Sequence, residues 1–118
     1  MVIAKFGMDA SRLMVSLHVK GHAGQNVVGH DIVCASASIL AYTLAQNIKM
    51  AQERNLFKYS PKIKLKEGDS IITCRARDEE AYTEILHTYL VIQTGYQLLA
   101  HNYPHYVAVN MFGQAEEP

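Results

Sequence analysis

Cys34 follows the run Gly29-His30-Asp31-Ile32-Val33 and opens a stretch of helical spacing, which places its thiol in the first turn of a helix. Unpaired backbone N–H groups and the positive end of the helix dipole there favour thiolate over thiol. Cys34 is therefore a candidate nucleophile. His22 stands at the other lip of a glycine-bounded loop, just past an alternating run that ends at Val19, and can reach back toward the helix start as a general base. Such a pair suits acyl transfer, with backbone N–H groups at the helix start, that of Cys34 included, as oxyanion donors. Asp31 occupies a good N-cap position, its carboxylate accepting from the Cys34 N–H. A carboxylate so engaged is not free to orient His22, and close to Cys34 it opposes thiolate formation, so capping is its first role. Ser38, one turn beyond Cys34 on the same face, either hydrogen-bonds near the site or keeps the helix surface slim. The alternative chemistry is bland: a cysteine between Val33 and Ala35 can be a small buried hydrophobe.

Other constellations carry less. His22, His30 and Cys34 can be drawn as metal ligands, but a fourth group is missing and His30, beside Gly29, is poorly held, so no metal is expected. Phosphate-loop, dinucleotide and zinc-peptidase patterns do not occur, and no cofactor is called for. Cys74 falls in mid-strand and reads as an inert core residue. His18 reads as a solvated strand histidine, and His101 and His105 as loop and strand-edge residues. Glycines 24 and 29 bracket Gln25-Asn26-Val27-Val28, whose valines join no periodic pattern; the spacing fits a lid over 23–30.

These residues need elements to hold them. Val2, Ala4 and Phe6 alternate with Ile3 and Lys5, residues 7–10 supply turn chemistry, and 13–20 form a second strand. Leu13, Val15, Leu17 and Val19 share its core face, with Met14, Ser16, His18 and Lys20 on a wetter one. Val33, Ala37, Leu40, Ala41, Leu44, Ile48 and Ala51 recur at helical spacing to about Arg54. Pro61 forbids continuation. A hairpin follows, Ile63 and Leu65 alternating with Lys62, Lys64 and Lys66 before a turn at 67–69 and a return strand over 71–76. The lysine row reads as a solvated face that discourages edge pairing. Asp78, Glu79 and Glu80 open a second helix with the stripe Ala81, Ile85, Tyr89, Ile92, Tyr96 and Leu99, and 103–111 reads as a last strand. The order ββαββαβ predicts an α+β fold: a two-layer domain with a mixed five-stranded sheet and two helices on one face.

The 118 residues suit a single domain over 1–118, with one core. Eleven basic side chains balance eleven acidic ones, which offers no broad footprint for nucleic acid or an anionic membrane; neither is expected as a partner. Cys34 and Cys74 form no C-x-x-C pair and suit a reducing compartment. The apolar run at the N-terminus is broken by Asp9 and Arg12, too weak for a signal peptide, and no stretch approaches membrane-spanning length. A cytoplasmic location is expected.

The run Gly21-His22-Ala23, a short loop, Gly29, Asp31-Ile32-Val33-Cys34-Ala35 and Ser38 resembles the signature of the ribosomal-processing cysteine protease (Prp) family. The resemblance implies that His22 and Cys34 are the catalytic pair and that Gly21, Asp31 and Ser38 support the site or its substrate. Its sharp part is this one stretch, while length and element order resemble the whole family domain. Ser36 and Ala37 depart from the second alanine and larger aliphatic expected there, which touches local packing only. The implied function is a cysteine endopeptidase that removes the N-terminal extension of a large-subunit ribosomal protein, with cleavage after a hydrophobic or aromatic segment. The resemblance, with apolar surplus on the second helix at Leu86 and Leu90, also implies a homodimer. The competing reading is a noncatalytic ribosome-associated protein-binding module in which Cys34 merely packs.

Overall fold

The computed structural model describes residues 1–22 and 30–111, His30 and Asp31 by backbone only. The expected lid over 23–30 lies outside the described residues except for the backbone of His30, which opens a helix, and the polar tail over 115–118 lies outside them. The chain runs β1 (Val2–Asp9), β2 (Met14–Lys20), α1 (His30–Glu53), β3 (Lys62–Lys64), β4 (Asp69–Arg75), α2 (Glu79–Asn102) and β5 (Val107–Asn110). These form the expected mixed five-stranded sheet, in the order β3-β4-β2-β1-β5. β1 pairs antiparallel with β2 and parallel with β5, and β4 pairs antiparallel with both β2 and β3.

One face of the sheet carries the core. Val2, Ala4 and Phe6 of β1, Val15, Leu17 and Val19 of β2, Ile72 and Cys74 of β4 and Val107 of β5 all point into one cluster. The helices close it with the stripes that periodicity predicts: Val33, Ala37, Leu44 and Ile48 from α1, and Ala81, Ile85, Tyr89, Ile92, Tyr96 and Leu99 from α2. Asp78 caps α2, accepting from the Ala81 N–H at 2.9 Å. The Phe6 ring meets Tyr89 and Tyr96 edge-on, with centroids at 5.5 and 5.6 Å. Both tyrosines are tied down at their polar ends, since burial without a partner is costly for a phenol. The Tyr96 hydroxyl donates to the Ala37 carbonyl of α1 at 2.6 Å. That of Tyr89 lies 2.9 Å from the Gly7 carbonyl and 2.8 Å from that of Ser16. Burial pushes both phenols well above their ordinary range.

Four local expectations are corrected. The first hairpin does not turn at 7–10: β1 runs on to Asp9, whose Oδ1 accepts from the Ser11 N–H, the Ser11 hydroxyl and the Arg12 N–H, moving the reversal to 10–13. Leu13 sits in that turn at φ 57° rather than on the strand's core face. The supposed wetter face of β2 is dry at its start, Met14 being 0 % and Ser16 6 % exposed, because β2 is the central strand with neighbours on both sides. α1, by contrast, ends at Glu53, where its periodicity predicts. Asn55 takes φ 59° there, its N–H donating to the Gln52 carbonyl and that of Leu56 to the Ala51 carbonyl, a Schellman close. Tyr103 belongs to the end of α2, so the last strand starts at Val107.

Tyr89→Phe leaves two strand carbonyls without their buried donor. It is expected to cost about 1–3 kcal/mol of stability, read as a lowered urea midpoint at unchanged slope.

Candidate active site

The end of β2 is governed by crowding. Gly21 takes φ +99°, and a Cβ on it would stand 2.2 Å from the Met1 carbonyl oxygen, so no larger residue passes here. Its N–H donates to the Gly68 carbonyl at 2.9 Å, extending the β2–β4 ladder by one bond beyond the Lys20–Asp69 pair. His22 follows at once, exposed, with its ring over Gly68.

Gly68 itself takes φ +76° in the turn between β3 and β4. That turn is well braced. The Asp69 N–H and the Ser70 hydroxyl both donate to the Lys66 carbonyl, at 2.9 and 3.1 Å. The Asp69 carboxylate accepts from His18 Nε2 at 2.8 Å and from Lys64 Nζ at 3.0 Å. These two partners, His18 first, hold the Asp69 carboxyl at about 2, below its ordinary 3.8. His18 is therefore not a free strand histidine; it braces the turn from the face of β2 opposite the core.

Across from His22 stands α1. Cys34 is half-buried on it, with Ser38 and Tyr42 following at one-turn intervals. Small residues at Ala35, Ala37 and Ala41 leave room between the helix and the strand ends. The result is a cleft of about 270 Å³ with His22 and Gly21 on one side, Cys34, Ser38 and Tyr42 on the other, Val2 and Val19 as apolar lining, and 66–70 closing the end. Four of the five residues singled out from sequence thus share one cleft: Gly21, His22, Cys34 and Ser38. The side chain of Asp31 lies outside the described residues, as does that of His30, so the metal alternative at His22, His30 and Cys34 lies outside them too. Among the described residues no three His, Cys, Asp or Glu side chains gather as metal ligands.

Two details differ from expectation. α1 begins at His30, which makes Asp31 its second residue rather than the residue before it, and Cys34 its fifth. Helical geometry then bonds the Cys34 N–H back to the His30 carbonyl, and the free leading N–H groups belong to residues ahead of Cys34. Since Cα–Cβ bonds tilt toward a helix N-terminus, the thiol still leans toward those groups. Sequence reasoning also missed the turn at 66–70, treated only as a hairpin reversal, and the cleft position of Tyr42. Gly68 in the turn, and the spacing of Tyr42 two turns beyond Cys34, were the available signals.

The second cysteine has the opposite environment. Cys74 is buried in β4, and desolvation pushes its thiol up to about 12.

The first 108 residues match the model of the family described as cysteine protease Prp. The chain belongs to the cysteine protease Prp family. No curated protein matches its sequence. Solved structures share the fold: the SMU.848 protein of Streptococcus mutans superposes with a TM-score of 0.68 at 22% identity, over 97% of this chain and 96% of that one. The essential ribosomal processing protease Prp of Staphylococcus aureus, in complex with a covalently linked product peptide, gives a TM-score of 0.66 at 23% identity, over 94% and 99%. The same protease in complex with a substrate peptide gives 0.67 at 20%, again over 94% and 99%. Like other Prp family members, this chain is a cysteine protease.

The braced turn has an acid-sensitive anchor. A carboxyl with a depressed folded-state pKa contributes stability that is full above its unfolded value and lost as pH falls through the folded one. The gap in melting temperature between the native protein and Asp69→Asn is expected to hold above pH 3.8 and to close toward about pH 2. Thermal melts across that range check it.

Proposed function

We propose that this Prp family chain is the endopeptidase that removes the N-terminal extension of a large-subunit ribosomal protein, with Cys34 as nucleophile and His22 as general base. The observation that supports the pair most is their placement on opposite walls of one cleft. His22 takes the Cys34 Sγ proton, and the thiolate attacks the scissile carbonyl carbon. The resulting oxyanion is held by the leading N–H groups of α1, ahead of Cys34. The C–N bond then breaks as the imidazolium returns its proton to the amine. Water, giving a proton to His22, attacks the thioester and frees the carboxylate product and the thiol. Water is the only co-reactant needed.

The apolar lining at Val2, Val19, Ala41 and Tyr42 suits a hydrophobic or aromatic segment ahead of the cleaved bond. The Staphylococcus aureus ribosomal processing protease in complex with a product peptide and with a substrate peptide supports a peptide of a ribosomal protein as the substrate. No described helix is long and apolar enough to cross a membrane, and we place the protein in the cytoplasm with its substrate.

In a folded protein, Cys34→Ala is expected to abolish cleavage of a precursor ribosomal protein and His22→Ala to reduce turnover by about 10² to 10⁴. Mass spectrometry of the products, with circular dichroism on the same samples, checks both. Iodoacetamide supplies the contrast with a binding module: Cys34 is expected to be alkylated faster in the native protein than in His22→Ala, and Cys74 only on unfolding.

We also propose a homodimer. Leu86 is drawn into the core, so the surplus on α2 is smaller than its sequence suggests, yet Ile39 of α1 and Val91 and Leu98 of α2 are 60%, 69% and 59% exposed. Sedimentation at micromolar concentration is expected to show twice the 13.2 kDa chain mass; a single 13.2 kDa species overturns a stable dimer.

A further inference from the structure

The turn at 66–70 has no part in the chemistry above, and its bracing exceeds what a hairpin reversal needs. Gly68 is fixed through its own carbonyl, which accepts from Gly21, and through its neighbour Asp69, tied to Lys66, His18 and Lys64. What this fixed residue presents to the cleft is the absence of a side chain. A Cβ built on Gly68 would lie 2.5 Å from His22 Nε2, 2.8 Å from Cε1 and 3.4 Å from Cδ2. The imidazole therefore occupies the space that any other residue at 68 would fill, and Nε2 is the ring atom closest to it.

We propose that Gly68 is a positioning residue for His22: the braced turn forms a flat seat on which the imidazole rests, and that seat sets the distance and angle from which Nε2 meets the Cys34 thiol. The inference rests on the reading of His22 as general base. The backbone conformation alone does not account for the glycine, because asparagine also tolerates a positive φ, whereas any Cβ here displaces the ring from where it stands. An imidazole lifted by a methyl group moves by about an ångström, a displacement that costs on the order of 10²-fold in rate. The loss cannot exceed that from removing the base, which bounds it at about 10⁴-fold.

The test is a double-mutant cycle with Gly68→Ala, His22→Ala and both together, measured as kcat on a precursor peptide and as melting temperature. Gly68→Ala alone is expected to lower kcat about 10²-fold and to change the pH profile of kcat, with little change in KM. On the His22→Ala background it is expected to lower activity no further, while the drop in melting temperature from backbone strain stays. Additive losses, or a folded Gly68→Ala protein with native kcat, overturn the seat while leaving His22 as base. Native turnover in His22→Ala overturns the base and the seat together. Should Gly68→Ala fail to fold, nuclear Overhauser contacts in the native protein decide: cross-peaks between the Gly68 α-protons and the His22 ring protons are expected, and their absence rejects the seat.

Discussion

The register of β2 between its two neighbours is the constraint from which the rest follows. Ile3 faces Lys20 on one side and Asp69 faces it on the other. That register sends Val15, Leu17 and Val19 into the core together, and a slip of one residue would turn all three outward. It also decides the site. With Lys20 opposite Asp69, the next residue reaches the Gly68 carbonyl, and the one after that lays its ring over the turn. Tyr89 reinforces this register from the helix layer, since its hydroxyl reaches the carbonyls of Gly7 and Ser16, a cross-strand pair of β1 and β2.

The two cysteines show how strongly environment separates identical groups. Cys74 lies on the core face of β4 with its charged form penalised by desolvation, which suits an inert residue. Cys34 lies one turn into α1, half-buried in an open cleft. The small side chains around it matter as much as the sulfur. Ala35, Ala37 and Ala41 let α1 lie close to the sheet without closing the space over the strand ends, a packing that bulkier residues would fill.

The elements were legible where burial imposes a period. The stripes of α1 and α2, the core faces of β1 and β2 and the order ββαββαβ follow from positions that must all reach one side. Boundaries set by a single side chain were not. Asp9 moves the first turn by its bonds to Ser11 and Arg12, a local choice that competes with the glycine signal at Gly7.

Sequence by itself determined the candidate types and where they stand: a histidine after a strand and a cysteine near a helix start, with the family signature spread over one stretch. Tertiary structure decided what surrounds them. Asp69, Lys64 and His18 come from three strands and Gly68 from a turn, and nothing in their spacing announces that they brace that turn against the end of β2. Val2 likewise enters the cleft from an element distant in the chain. The physical reason is that strand pairing and helix packing bring residues together across sequence separations that no local pattern records, while a periodic pattern reports only which face is buried.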